Sequence, residues 1–156
     1  MNKNKNLSLS LSILLSFLTA LLILGTFVSM PFYIEWKCTN TLSGFTGNLP
    51  TLTEKIAIYT VGYLLLCCAA ASDVLLIRLL FLIKDGKVFT ESTVRLLKYI
   101  ACFIMAVGIL FILLAPYFTM ACAVGFMIVF VGVVVLVVRS VIDEATSIKS
   151  ENDFTI

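Results

Sequence analysis

The chain has 156 residues, of which 61% are hydrophobic and 13% are charged, and its formal net charge is +2. A soluble domain is ordinarily about 45–50% apolar and about 25% charged. Too few polar residues remain to cover the apolar surface of a soluble monomer. The composition therefore excludes a water-soluble globular domain, a disordered chain and a nucleic-acid binder with a broad basic face. It predicts an integral membrane protein.

Four apolar stretches approach or exceed the roughly 20 residues that a spanning helix needs. They cover residues 9–31, 56–83, 99–115 and 118–138. The first is longer than a secretory signal core, so we expect it to be retained as a span. Pro116 predicts a turn between the last two, because proline disfavours helix at the residue before it. The prediction is a single all-α membrane domain, an antiparallel bundle of four transmembrane helices.

The lysines and arginines that flank the spans predict the orientation. If the N-terminus is cytoplasmic, nine of the eleven cations lie inside, and only Lys37 and Lys55 lie outside. Such an excess on the cytoplasmic side is usual in membrane proteins. We therefore expect both termini inside, with an outer loop over 32–54, a cytoplasmic linker over 84–98 and a cytoplasmic tail over 139–156.

Small residues recur at helical spacing in two of the spans. In the first span they are Ser8, Ser12, Ser16 and Ala20, and in the fourth they are Ala121, Gly125 and Gly132. Small faces let helices approach closely in lipid, so both patterns predict helix-packing surfaces.

Asp73 and Arg78 interrupt the second span and form a candidate intramembrane polar site. An ionisable side chain within the hydrocarbon is costly, which makes it a candidate functional residue. Arg78 follows Asp73 at i+5, on a different helix face, so we expect a partner from another helix. The candidate partners are Lys98, Tyr99 and Arg139. A structural ion pair or hydrogen bond and an ion- or ligand-binding role remain alternatives for Asp73.

The linker contains a helix stop followed by a helix start. Gly86 suits the left-handed position after a helix end, and Thr90 suits an N-cap. With Thr90 at the N-cap, Phe89 and Val94 occupy the two positions of a hydrophobic staple. We expect this segment to fix how the second span connects to the third.

The tail carries two cations and four anions, whereas the linker carries four cations and two anions. One hypothesis is that the tail docks on the linker, with a strand-like pairing of Phe154–Ile156 with Lys87–Phe89. The alternative is a solvated tail.

The sequence contains no histidine, no Cys-x-x-Cys motif, no glycine-rich phosphate loop and no paired carboxylates within the spans. Histidine is the commonest general base and metal ligand. We therefore expect no enzyme activity, no catalytic residue, no bound metal and no cofactor.

Two segments resemble a known prokaryotic family. They are Gly86-Lys87-Val88-Phe89-Thr90 with the following Val94-Arg95-Leu96-Leu97, and the ending Glu151-Asn152-Asp153-Phe154-Thr155-Ile156. In these segments and in its four-span layout, the chain is similar to the small membrane proteins catalogued as domain of unknown function 2975. That family has no established activity, and its members are often encoded beside a small helix-turn-helix DNA-binding protein.

The resemblance implies a component of a regulatory pair in a prokaryotic plasma membrane. The candidate cytoplasmic contact residues are Gly86, Phe89, Thr90, Val94, Arg95, Asp153, Phe154, Thr155 and Ile156.

Three functions compete. The first is a regulatory membrane component that binds a cytoplasmic partner, such as a small helix-turn-helix transcription factor, and does not itself bind nucleic acid. The second is an immunity or membrane-stress tolerance protein. The third is a small transporter or ion-handling protein that uses Asp73. The expected partners are the lipid bilayer, a cytoplasmic regulatory protein and a second copy of the chain.

The orientation can be tested with a reporter enzyme that is active only outside the cytoplasm. We expect activity when it is fused near Gly44, because the outer loop is cation-poor. We expect no reporter activity when the enzyme is fused near Gly86 or after Ile156. Activity after Ile156 would contradict the orientation.

Overall fold

The computed structural model describes residues 2–40, 52–86 and 88–153, with side chains over 9–36, 52–86, 88–118 and 120–151. Four helices make up this part of the chain: α1 (Asn2–Asn40), α2 (Leu52–Lys84), α3 (Glu91–Leu113) and α4 (Thr119–Asp153). Each is long and apolar enough to cross a membrane, and the described residues form no strand. The predicted class, all-helical with four helices able to span a membrane, is confirmed.

The helices extend beyond the predicted spans. The predicted outer loop, 32–54, is helical at both of its ends, because α1 continues to Asn40 and α2 begins at Leu52. Pro31 lies inside α1 without ending it. A proline has no amide hydrogen, so Pro31 removes the helix hydrogen bond to the carbonyl of Phe27, a loss that spanning helices tolerate. The carbonyl oxygen of Pro31 itself accepts a hydrogen bond of 3.4 Å from the hydroxyl of Tyr59 on α2.

The connection between α2 and α3 is shorter than the predicted linker, because α3 begins at Glu91. Gly86 has φ of +76°, and its amide donates a 3.1 Å hydrogen bond to the carbonyl of Ile83. This backbone conformation strains any residue with a side chain and suits glycine. The predicted role of Gly86 after the helix end is confirmed.

Thr90 occupies the predicted N-cap position of α3, with extended backbone angles of −138° and 150°. Its carbonyl accepts hydrogen bonds from the amides of Thr93 and Val94. Its hydroxyl lies 3.1 Å from the Thr93 hydroxyl and does not cap a backbone amide. Val94 is buried while Phe89 is 46% exposed, and the staple between these two residues stays a prediction.

The helices pack in chain order, α1 on α2, α2 on α3 and α3 on α4. In the described part, no Cα atom of α1 comes within 8 Å of a Cα atom of α3 or α4, and α2 and α4 are likewise apart. The predicted bundle is therefore an open array with α1 and α4 at its edges. The α1–α2 pair is antiparallel, because Phe27 stacks edge-on against Tyr63 while Thr19 contacts Asp73.

Two buried clusters mark the two ends of this array. At one end, Ile34 of α1 and Ile58 of α2 pack with Tyr117 and Phe118 from the turn between α3 and α4. At the other end, a second cluster joins three helices through Leu79, Leu97, Ile100, Ile83 and Ile142. We call this second end the terminal end: it comprises the α2–α3 connection, the start of α3 and the last part of α4.

The backbones of α3 and α4 approach each other closely at two glycines. A methyl group on Gly108 would lie 2.9 Å from the Gly125 carbonyl oxygen, and one on Gly125 would lie 2.8 Å from the Gly108 carbonyl oxygen. At Gly132, the nearest atom to such a methyl group is in the flexible side chain of Met105, at 2.6 Å. The small face predicted for the fourth span is confirmed as a helix-packing surface.

Replacing either close-packed glycine should separate these two helices. We expect Gly108→Ala or Gly125→Ala to lower the free energy of unfolding by about 1–3 kcal/mol, because a methyl group there meets backbone atoms that cannot move aside. Unfolding in detergent micelles measures the loss. Gly25→Ala is the matched control, since no atom lies within 4 Å of that position. Equal stability of all three variants would contradict the close approach.

Candidate functional site

Asp73 is a buried carboxyl group on α2, only 8% exposed. Its Oδ1 atom lies 2.9 Å from the hydroxyl oxygen of Thr19 on α1. The prediction of a partner on another helix is confirmed, but the three predicted partners are wrong. Arg139 pairs with Asp143 on its own helix at 3.3 Å. Lys98 and Tyr99 are exposed near the start of α3 and belong to the terminal end.

The pairing with Thr19 places Asp73 well inside the apolar part of the array. The middle of α2 falls near residue 68, five residues away. At a rise of 1.5 Å per residue, this separation is about 7.5 Å along the helix. The hydrocarbon core of a bilayer is about 30 Å thick, so Asp73 lies within the core if the middle of α2 lies at the bilayer centre.

The carboxyl group of Asp73 has fewer hydrogen-bond donors than its two oxygen atoms can accept. The Thr19 hydroxyl oxygen lies 2.8 Å from the Ser16 carbonyl oxygen and 2.9 Å from Asp73 Oδ1. A hydroxyl group carries one hydrogen, so it cannot serve both acceptors fully. Asp73 Oδ2 is buried and has no hydrogen-bond partner among the described residues. No described lysine or arginine forms an ion pair with it. Such an unpaired buried polar atom is costly in a protein interior.

A cavity of about 330 Å³, largely open to its surroundings, borders this carboxyl group, and all four helices contribute to its walls. Its polar lining comes from Thr19, Ser72 and Asp73, and the rest is aliphatic, including Ile104 and Ile128. The Ser72 hydroxyl donates to the carbonyl of Cys68, 3.0 Å away on its own helix. Asp73 is therefore the single acidic group in the described lining of an otherwise apolar cavity.

Arg78 does not belong to this site. It lines a separate cavity of about 240 Å³ at the terminal end, together with Ser92, Arg95 and Tyr99. The spacing of i+5 from Asp73 turns the two side chains to different sides of α2. The residues of the candidate polar site thus line two separate cavities, Asp73 an acidic one and Arg78 a basic one at the terminal end. Two guanidinium groups beside one cavity are suited to hold a phosphate or carboxylate group.

The predicted contact residues form two groups in the sequence, and the first group lies at the terminal end. Gly86, Phe89 and Arg95 are exposed and Thr90 is half-buried, whereas Val94 is buried in the helix packing.

The second group follows the helical part of the tail. Asp153 is the last residue of α4. Phe154, Thr155 and Ile156 lie outside the described residues, as does Lys87. The proposed docking of the tail on the linker rests on these residues and stays a prediction.

Sequence reasoning missed Thr19. The signal was present, because Ser16 and Thr19 are the only hydroxyl-bearing residues between positions 13 and 25, and they lie about one helical turn apart. It also missed the exposed apolar side chain of Val141, which lies beyond the apolar run of the fourth span.

Comparison with known proteins identifies a family. A family model described as "Protein of unknown function (DUF2975)" matches residues 9–156, nearly the whole chain. No curated protein and no solved structure matches the chain.

The Thr19 hydrogen bond can be tested with two matched substitutions on α1. We expect Thr19→Val to lower the free energy of unfolding by about 1 kcal/mol, because it leaves the buried Asp73 carboxyl without its donor. Thr26→Val is the control, since that exposed hydroxyl bonds only within α1, to the carbonyl of Leu22 at 2.8 Å. Unfolding in detergent micelles measures both. Equal effects of the two substitutions would contradict a specific role for Thr19.

Proposed function

The chain belongs to the family DUF2975, and we propose that it is a regulatory membrane component that binds a cytoplasmic protein through the projecting end of α4. The partner that fits best is a small helix-turn-helix transcription factor. The proposal includes the orientation expected from the cation distribution, with both termini in the cytoplasm.

The observation that carries the proposal is the length of α4. This helix has 35 residues, from Thr119 to Asp153. At 1.5 Å per residue it is about 52 Å long, well beyond the roughly 30 Å of a hydrocarbon core. Its apolar run ends at Arg139, so the remainder, 139–153, extends into water if α4 spans the bilayer. A helix this short is marginal by itself in water, but here it continues a helix that is already formed.

The projecting segment carries exposed apolar side chains. Val141 is 62% exposed and Ile148 is 57% exposed. They lie seven residues apart, and therefore on nearly the same face of the helix. The same segment, 139–153, carries two cations and four anions. An apolar stripe on a helix that stands in water is a typical docking element for a groove on a partner protein.

The charge of this segment favours a cationic partner. A DNA-binding protein presents lysines and arginines to the phosphate backbone, and an anionic helix attracts such a surface. Binding at the membrane would hold the transcription factor away from its DNA. The proposed regulation is therefore sequestration, released when the membrane protein changes conformation.

The test uses the full-length protein in nanodiscs and the purified helix-turn-helix protein encoded beside its gene. Biolayer interferometry measures the dissociation constant. We expect binding by the wild type, and an affinity loss of about tenfold or more for Ile148→Glu, because the substitution places a charge in the apolar contact.

Ser147→Glu is the matched control. It adds the same charge at the neighbouring, exposed position, which lies on another side of the helix. Its affinity should remain within about threefold of wild type, as expected outside the contact. Absence of binding by the wild type, or equal losses for both variants, would contradict the proposal.

A further inference from the structure

We propose that the cavity beside Asp73 is a binding site for a small organic ammonium ion, a protonated amine carried on a compact apolar body. This inference does not depend on the cytoplasmic partner. It rests on the buried carboxyl group, on the size of the cavity and on the apolar character of its walls.

The carboxyl group calls for a hydrogen-bond donor that the described residues do not supply. Thr19 offers one hydrogen, which the Ser16 carbonyl oxygen also attracts from 2.8 Å. Asp73 Oδ2 has no partner. The last torsion angle of an aspartate side chain is broad, so a small turn of the carboxyl plane presents this oxygen to the cavity. An N–H group bearing a positive charge is the strongest donor that such an oxygen can accept.

The size of the cavity favours an organic cation over a metal ion. A water molecule occupies about 30 Å³ in the liquid, so a bare ion would leave most of the 330 Å³ unfilled. Hard metal ions also require several oxygen ligands at once. No group of three acidic, histidine or cysteine side chains able to hold a metal occurs among the described residues.

The aliphatic walls complete the recognition. Residues such as Ile104, Val107 and Ile128 would cover the carbon skeleton of the ligand, while Asp73 would receive its N–H group. Typical ligand sites have this composition, a mostly apolar pocket with a few placed polar groups. If α2 spans a bilayer, the site lies at the depth of the hydrocarbon, and a lipophilic amine can enter from the lipid.

The test measures binding of radiolabelled 1-aminoadamantane, a cage-shaped primary amine, to the full-length protein in nanodiscs. Empty nanodiscs correct for partition into lipid. The neutral competitor is 1-adamantanol, which has the same cage and an O–H donor but no charge. We expect the amine to bind at least about tenfold more tightly than the alcohol, the scale of a charge-assisted hydrogen bond.

Two substitutions test separately the charge of Asp73 and the free space in the cavity. Asp73→Asn keeps the shape of the side chain and should weaken amine binding by about tenfold or more, since it removes the charge. Ala69→Phe leaves the carboxyl group in place but fills the cavity, and should abolish binding of the cage. The control, Asp85→Asn, removes a carboxyl group at the exposed end of α2 and should bind as the wild type does.

Thermal unfolding confirms that each variant is folded. If Asp73→Asn does not fold, the comparison of amine with alcohol and the Ala69→Phe variant decide the outcome. Equal binding of amine and alcohol would show that the cavity selects by shape alone and would overturn the proposal. Unchanged amine binding by folded Asp73→Asn, or by folded Ala69→Phe, would also overturn it.

Discussion

A hydrocarbon solvent gives no hydrogen bonds, and this constraint organises the structure. Every backbone amide and carbonyl group at that depth must be paired within the chain, which favours long, uninterrupted helices. The hydroxyl side chains obey the same constraint. Those of Thr26, Thr60 and Ser72 bond to carbonyl groups on their own helices, four residues earlier. Asp73 stands out against this background, because its second carboxyl oxygen lacks a described partner.

The helices are joined with unequal strength. Gly108 and Gly125 bring the backbones of α3 and α4 into direct contact, and dispersion contacts over such a close seam are the main attraction between helices in lipid. By contrast, α1 exposes most of its long side chains, among them Leu14, Leu21 and Val28. Exposed apolar side chains of this kind are typical of a helix that faces lipid. The Thr19–Asp73 hydrogen bond therefore lies at the more weakly packed edge of the array, where a single polar contact has most influence.

The sequence predicts the number and class of the helices, because apolar runs long enough to cross a membrane seldom occur in other structures. Hydropathy alone does not give their ends. Hydropathy falls at Arg139, yet α4 continues to Asp153 because nothing in that segment breaks a helix. Likewise, α3 begins at Glu91, eight residues before its apolar span, and the predicted N-cap at Thr90 is the signal that gives this start. Capping and helix propensity decide these ends, and a hydropathy pattern does not contain them.

The polar site is predicted in part for a related reason. A carboxyl group within a span stands out in the sequence, and so does its need for a partner. The identity of that partner depends on the register between α1 and α2, which side-chain packing sets. In this register Phe27 packs against Tyr63 and Thr19 lies opposite Asp73. The pattern of a single helix does not contain the register between two helices, so the candidate partners Lys98, Tyr99 and Arg139 were wrong.

The deep cavity and the projecting end of α4 are connected by one continuous helix. Ile128 lines the cavity, and Ile148 lies twenty residues further along α4, about 30 Å away at 1.5 Å per residue. Gly108 and Gly125 tie α4 to α3 near Ile128, so a ligand that moves one of these helices also moves the other. A ligand can shift partner binding only by its difference in affinity between two arrangements of the helices. Any such coupling would be reciprocal: if a ligand at Asp73 changed the affinity for a partner at Ile148, the partner would change the affinity for the ligand by the same factor.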